Sequence, residues 1–478
     1  MKKHFTSELN KYLGLYTDYY ELTMSQGYFL DGKENTIANF DCLFRKNPFD
    51  SGYTVFAGLY DLIESIMNFK YNSDLTDYLF KIGFKDNFID YLKDFSFKGN
   101  IFAVNEGEII FPGEPFVRFE GNIIETQLLE SITLNILNFE SLIATKASRL
   151  RYSAGRRKLA DFGLRRAQGL AAVYASRAAI IGGVDSTSNV LSAYLYNLTP
   201  TGTQAHSWIQ SFDDELTAFR KYAESFPDGC VLLIDTYNTL KSGLPNAIIV
   251  ARELENKGYK LSAVRLDSGD LAYLSKKARR ILDEAGLPYV KIVVSNQLDE
   301  YLIKSLIDQG APIDSFGVGT SLITGQKDAA LDVVYKISTV NNKPTIKLSE
   351  DINKITLPGN KKILRYFNEN GKFYADCIAL EDEDENKIDL IFHPQNPNKR
   401  STVKNLKKEV IVSEVFKNGN TLIKEKTTNE IADYLQSRLS QLPEEHKRFE
   451  FPHIYKVGLS TRLMDLRDDL VKSLGKEG

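Results

Sequence analysis

Apolar residues follow two rhythms along this chain. From about residue 125 to 154 they recur at three- and four-residue intervals, through Leu128, Ile132, Leu134, Ile136 and Leu137. That spacing lays one apolar face along a helix. Further on, short apolar runs alternate with amphipathic stretches. "VLLIDTYN" (231–238), "LSAVRLDSGD", "VKIVVSNQ" and "IDSFGVGTS" read as strands. Between them, "PNAIIVARELENKG", "LAYLSKKARRILDEAG" and "LDEYLIKSLIDQG" read as helices, the first with Pro245 near its start and Gly258 near its end. Such alternation implies parallel strands joined by crossover helices. Polar residues or glycines follow each strand: Asp235-Thr236, Asp267 to Asp270, Ser295-Asn296, and Gly317 to Ser321. In α/β folds a ligand site forms where those strand ends converge, in a barrel or an open sheet.

The flanking regions differ. "SGYTVFAGLYDLIESIMNFK" reads as a turn followed by a helix, and "IFAVNEGEIIFPGEPFVRFEG" as a compact β segment with turns at Glu106-Gly107 and Pro112-Gly113. After about Tyr335 short strands and charged turns take over. The acid-rich "ALEDEDENKIDL" reads as a solvated turn, and two amphipathic helices close the chain. A length of 478 residues suits two or three domains, or a barrel with an attached domain.

Composition narrows the classes. Lys and Arg number 60 against 63 Asp and Glu, a net charge of -3, so the basic footprint of a general nucleic-acid binder is missing. Local basic clusters can still hold small anions. Cys42, Cys230 and Cys377 lie far apart without metal-ligand spacing and read as reduced, buried thiols of a cytoplasmic protein. The basic N-terminus lacks the apolar core of a secretory signal. No apolar run reaches the ~20 residues of a membrane span.

Several short stretches can carry chemistry. "FGVGTSLITG" places Gly317 and Gly319 at a strand end with Thr320 and Ser321 beside them. Such a turn lets backbone N–H groups approach a phosphate closely, and equally forms a tight βα turn without a ligand. In "VRLDSGDL", Arg265 and Asp267 alternate and so face one side. A charged pair at a buried strand end needs partners or a ligand. Asp267 suits sugar hydroxyls, and Arg265 a carboxylate or phosphate. An internal ion pair followed by a helix cap accounts for the same residues. "DFGLRRAQG" sets Phe162 near Arg165 and Arg166, an aromatic face beside cations that suits a planar anion; on its own it also reads as the start of a surface helix. "TDYYELTMSQGYF", with Asp18 and Tyr20, reads as a capped helix packed on a core. His206, in "GTQAHSWIQSF", follows a Gly202-Thr203 bend and precedes a helix over "WIQSFDDELTAF". Imidazole can act there as a nucleophile or proton carrier near neutral pH. No His or Cys spacing suggests zinc.

Taken in order, these motifs, together with "ATKASR", "STSNV", "IVVSNQLDE", "LDVVYKI" and "KITLPGNKKILRY", resemble the nicotinate phosphoribosyltransferases over roughly residues 10 to 370, and the tail "YKVGLSTRLMDLRDDL" is similar too. The resemblance implies an α/β fold: an irregular α/β barrel of the type II phosphoribosyltransferase kind (131–338), with an α/β domain built from both chain ends (1–130 and 339–478). It implies that nicotinate attacks C1 of phosphoribosyl pyrophosphate, giving nicotinate mononucleotide and pyrophosphate. ATP hydrolysis is coupled to this, Mg²⁺ accompanies the phosphates, and homodimers share their active sites. By the same resemblance Phe162 stacks on the pyridine ring, with Tyr20 on its other face. Arg265 and Thr203 lie near nicotinate, Arg165 contacts phosphate, and Asp267 holds the ribose hydroxyls. Gly317, Gly319 and Thr320 cradle the 5′-phosphate, assisted by Ser268 and Gly269. His206 matches the histidine that ATP phosphorylates. Asp18, Asp235, Arg166 and Ser188 are further candidates. Ser188 matches the position where nicotinamide-using relatives carry an Asp, which favours the acid substrate, although Asp185 lies close by; a nicotinamide phosphoribosyltransferase is the alternative.

Overall fold

The computed structural model describes residues 9–348 and 356–474. By its contacts the chain divides into two units, one of residues 146–329 and one of residues 1–145 and 330–478.

Unit 146–329 is an irregular α/β barrel built on a six-stranded sheet. Its strands are Lys158–Asp161, Ser186–Thr187, Val231–Leu233, Ala263–Leu266, Lys291–Ser295 and Ser315–Val318. Every pairing is parallel. Val264, Leu266, Ile292, Val294, Phe316 and Leu232 are buried, so these strands read as apolar runs rather than as alternating ones. The alternation in the sequence predicted four of the six. Ser186–Thr187 is too short to show a period, and Lys158–Asp161 opens on an exposed lysine.

Caps place the helix starts. The carboxylates of Asp270 and Asp299 accept from backbone N–H groups at the starts of Leu271–Glu284 and Glu300–Asp308. The helix expected after His206 is broken in two, His206–Gln210 and Glu215–Ser225. Asp214 caps the second piece and forces the break, while Trp208 Nε1 donates to Ala218 O at 3.0 Å and ties the pieces together. A buried ion triad braces the unit: Glu300 meets Lys146 at 2.7 Å and Arg149 at 3.0 Å. Burial alone would raise the Glu300 carboxyl, but the two cations hold it below its ordinary range.

The other unit holds a seven-stranded antiparallel sheet and a six-stranded one. In the first, Ile37–Leu43, Val117–Asn122 and Asn100–Val104 occupy the centre, flanked by Val334–Val340 on one side and Val412–Lys417 on the other. Phe40 lies opposite Phe119 and stacks on Tyr335 at 4.7 Å, in a core that also takes Leu128, Ile132 and Leu137. The helical period expected from about 125 is present but interrupted, as Ile123–Gln127 and then Glu130–Ala154. The acid-rich turn is less solvated than its composition suggested. Glu381 pairs with Arg118 at 2.9 Å, Asp382 pairs with Arg462 at 2.8 Å, and Glu383 accepts from Ser460. These partners are remote in sequence, so composition alone cannot reveal them. Cys42, Cys230 and Cys377 are buried and unbridged. Among the described residues no helix is long and apolar enough to cross a membrane.

Candidate active site

The strand ends of the barrel unit enclose a cavity of ≈ 450 Å³. Phe162, Arg165, Arg166, Arg265, Asp267, Gly317, Gly319 and Thr320 line it, all singled out from the sequence. Ser295, Asn296 and Gln297 complete the wall.

One side is built for a flat ring. Phe162 follows the Lys158–Asp161 strand, and its N–H donates to Val318 O at 2.8 Å. The adjoining turn is fixed by Asp161, a buried residue that the motif reading passed over. Its carboxylate accepts from Gly163 N, Ser176 Oγ and Thr187 Oγ1 at 2.7–2.8 Å. Burial raises its pKa, against the pull of those three donors. The Phe162 ring lies directly over Gly317: a Cβ there would fall 2.5 Å from Phe162 Cδ2. Gly317 is therefore required by close approach, with no need for an unusual φ. The Arg265 guanidinium stands 5.3 Å from the Phe162 centroid, within cation–π range.

Arg265 is the hub of a polar network. Its Nε donates to Ser295 Oγ at 2.9 Å, Nη1 to Thr203 Oγ1 at 2.8 Å and Nη2 to Asp267 Oδ1 at 2.9 Å. Ser295 Oγ donates in turn to Asp267 Oδ1. Both readings of "VRLDSGDL" are thus realised: the ion pair and the Asp270 cap exist, and the pair faces a cavity. Asp235 is the second hub. Its Oδ2 accepts from Asp267 N at 2.8 Å and from Ser268 Oγ at 2.6 Å. Its Oδ1 is buried with no hydrogen-bond partner among the described residues, a costly state for a carboxylate oxygen without a ligand.

That orphaned oxygen faces His206. The ring's Nδ1 is 3.0 Å from Thr236 Oγ1, while Nε2 lies 4.0 Å from Asp235 Oδ1 and 3.9 Å from Asp267 Oδ2. The His206 side chain is 41% exposed, so the ring can be approached from solvent. Thr236 appeared in the sequence only as a polar residue after a strand; its place under the imidazole depends on how that strand ends.

Glycines, a hydroxyl and two arginines form another part of the lining, a set of groups suited to an anion. Gly317, Gly319 and Thr320 sit at the end of Ser315–Val318, and Arg165 and Arg166 extend from the short helix Leu164–Arg166. Both arginines are exposed and have no carboxylate partner among the described residues. Asn296 and Gln297 hold φ of 89° and 45°, a left-handed pair of non-glycine residues at the cavity wall.

Thr203, His206, Asp235 and Ser268 reach the lining through Arg265 and Asp267 without being part of it, and four further expected residues lie elsewhere. Gly269, at φ 79°, belongs to the Asp267–Asp270 turn but does not line the cavity. Ser188 is half-buried and donates its backbone N–H to Asp161 O. Asp18 and Tyr20 belong to the other unit, at the start of helix Tyr19–Leu30, where Tyr20 is exposed. Partial burial, with Glu130 next, raises the Tyr20 phenol pKa. Asp185 is engaged by Arg151, by Lys158 and by Leu159 N–H. Although partial burial acts to raise it, these contacts leave its pKa lowered, and it does not line the cavity.

Known proteins share this arrangement of sequence and fold. Residues 15–138 match the family model for the nicotinate phosphoribosyltransferase N-terminal domain, and residues 360–467 match the C-terminal domain model. The chain is 44% identical to the nicotinate phosphoribosyltransferase of Bacillus subtilis (strain 168), covering 94% of this chain and 93% of that one. It is 38% identical to the Caenorhabditis elegans protein of the same name, over 94% and 92%. The crystal structure of human nicotinic acid phosphoribosyltransferase superposes with a TM-score of 0.86 at 30% identity, covering 95% of this chain and 99% of that one. The chain belongs to the nicotinate phosphoribosyltransferase family.

Proposed function

We infer that this protein transfers the phosphoribosyl group of phosphoribosyl pyrophosphate to nicotinate, with ATP hydrolysis coupled through a phosphohistidine at His206. The observation that carries the reading is one cavity joining a ring face, Phe162, to a cation, Arg265, and to a glycine–hydroxyl anion cradle. Family membership supports the transfer reaction itself.

The pyridine nitrogen of nicotinate attacks ribose C1. The N–C1 bond forms as the C1–O bond to pyrophosphate breaks, and the leaving oxygen takes the electron pair. Positive charge builds on the ribose ring during this exchange. The chain's contribution is alignment and electrostatics. Phe162 stacks on the pyridine ring and Arg265 pairs with the carboxylate of nicotinate. The Asp267 carboxylate accepts from ribose hydroxyls and stabilises the developing cation. Gly317, Gly319 and Thr320 seat the 5′-phosphate, and Arg165 and Arg166 answer the pyrophosphate charge.

The Nε2 of His206 takes the γ-phosphoryl of ATP, releasing ADP, and water later cleaves the N–P bond. Thr236 holds Nδ1, so Nε2 faces the acceptor side. Among the described residues no group of three ligating side chains could hold a metal ion. Two carboxylates, Asp235 with its unpartnered Oδ1 and Asp267, suit an Mg²⁺ carried mainly by phosphates. Bound there, Mg²⁺ would neutralise phosphate charge. A homodimer in which Tyr20 and Asp18 of the partner subunit reach the pyridine ring is consistent with the exposed Tyr12, Tyr16, Tyr19 and Tyr20. The engagement of Asp185 elsewhere supports nicotinate over nicotinamide.

The test is pyrophosphate release from nicotinate and phosphoribosyl pyrophosphate, with and without ATP. Release stimulated by ATP, and loss of that stimulation in His206→Ala, is expected. Full stimulation in His206→Ala would refute the phosphohistidine. Labelled nicotinate and nicotinamide in competition decide the substrate.

A further inference from the structure

We propose that a second cleft, formed within the unit made of the two chain ends, binds a phosphorylated nucleoside. It measures ≈ 1320 Å³, above the roughly 300–1,000 Å³ common for small-molecule sites.

Its polar lining is dominated by donors. Lys336, Lys399, Arg400, Lys456 and Arg467 line it, against two carboxylates, Asp50 and Asp468. Each carboxylate is already paired within the chain, with Lys46 at 2.8 Å and with Arg467 at 2.8 Å. Lys336, Lys399 and Arg400 have no carboxylate partner among the described residues. His393 adds a donor of fixed sense. Its Nδ1 accepts from the backbone N–H of Gln395 at 3.2 Å and of Asn396 at 3.3 Å. The neutral ring therefore carries its proton on Nε2 and remains a donor without needing to be charged. A site that offers donors and cations, in a chain of net charge -3, selects an anion with several acceptor oxygens.

Part of the remaining lining is apolar. Phe111 stacks on Tyr455 at 3.8 Å, and the Tyr455 hydroxyl donates to Asp376 at 2.8 Å. Ile378 and Ile391 lie in the same lining, and Ile454 beside them is 86% exposed. An inorganic anion leaves this surface uncovered; a base and ribose cover it. Protection of a sheet edge explains charge on the Asn396–Thr402 strand. It does not explain Lys336, which belongs to the other sheet, or Arg467, on the terminal helix Thr461–Leu474.

The experiment is calorimetric titration of the full chain with ATP, tripolyphosphate and adenosine, for the wild type and for the K399E/R400E variant. Both substitutions fall on an exposed edge strand remote in sequence from the barrel strands. We expect one ATP-binding event to weaken about tenfold or more in the variant, from two lost charge-assisted contacts. Turnover in the pyrophosphate assay stays at the wild-type rate, and both tripolyphosphate and adenosine bind more weakly than ATP. Identical ATP isotherms for the two proteins overturn the site, and tripolyphosphate binding as tightly as ATP overturns the nucleoside half. Should the variant melt below the wild type, Lys336→Gln repeats the test from the other sheet. Absence of pyrophosphate release in both proteins would defeat the barrel reading and leave the isotherms to judge the cleft.

Discussion

Gly317→Ala probes how closely the ring site is fitted. The φ of Gly317 is not in the left-handed region, so alanine suits the backbone. The obstacle is Phe162, whose Cδ2 and Cζ lie 2.5 and 3.2 Å from the added methyl. Ordinary carbon contacts begin near 3.5 Å, so the ring must retreat by about 1 Å. It cannot do so freely, because its own N–H is bound to Val318 O and the next residue is fixed by Asp161. A displacement of that size at the stacking face costs roughly 10- to 100-fold in kcat/KM. On the proposed role of the ring as the nicotinate face, most of the loss falls on the KM for nicotinate, and the KM for phosphoribosyl pyrophosphate changes little. Initial rates of pyrophosphate release with each substrate varied in turn measure this, beside a melting curve to show that the barrel is intact. An unchanged KM for nicotinate in a folded G317A protein would show that Phe162 is not the stacking face.

Three further outcomes are expected. Thr236→Val keeps the shape but removes the partner of His206 Nδ1; the ATP-stimulated rate falls about 2- to 10-fold while the ATP-independent rate holds, and Thr236→Ser restores it. Glu300→Gln removes a carboxylate shared by two buried cations and costs about 3–5 kcal/mol, read as a lowered melting temperature. Glu21, whose carboxyl burial pushes up to about 7 against hydrogen bonds from Ser131 and Thr17, makes stability depend on pH. Between its ordinary 4.5 and about 7 the folded state keeps a proton that the unfolded state has lost, so stability falls as pH rises across that window and is level above it. Glu21→Gln flattens that fall, as denaturant titrations at about pH 5 and about pH 8 would show.

The barrel was legible where physics leaves a period. Strands buried on both faces became apolar runs, and the polar residues after them marked the site. Arg265 and Asp267 could be read as a pair because alternate strand positions share a face. The rest depended on tertiary placement. Ser295, Asn296 and Gln297 look like any loop after a strand; what makes them a wall is their convergence with Phe162 and Gly317 from other strands. Asp161 stood at the edge of a quoted motif, yet its three donors come from three separate segments. The helix after His206 was read as continuous because its apolar period runs through the break, whereas the Asp214 cap rewards stopping. Tyr20 and Asp18 entered through resemblance alone, and the structure keeps them in the other unit.

The interleaving of the seven-stranded sheet bears on how the protein is made. Its central strands, ending at Asn122, leave the ribosome first, but the flanking Val412–Lys417 follows some 290 residues later. At 5–20 residues per second the wait is roughly 15–60 s, during which the whole site-bearing segment 146–329 is synthesised and can fold. The edge awaiting Val412–Lys417 stays open through that interval and the other until Val334–Val340 emerges, and such edges are templates for pairing with another chain. Nascent-chain protection is therefore needed most while the segment bearing the candidate site is already complete. Truncations soon after residue 329 should yield a protein whose site is assembled but which aggregates through its amino-terminal third.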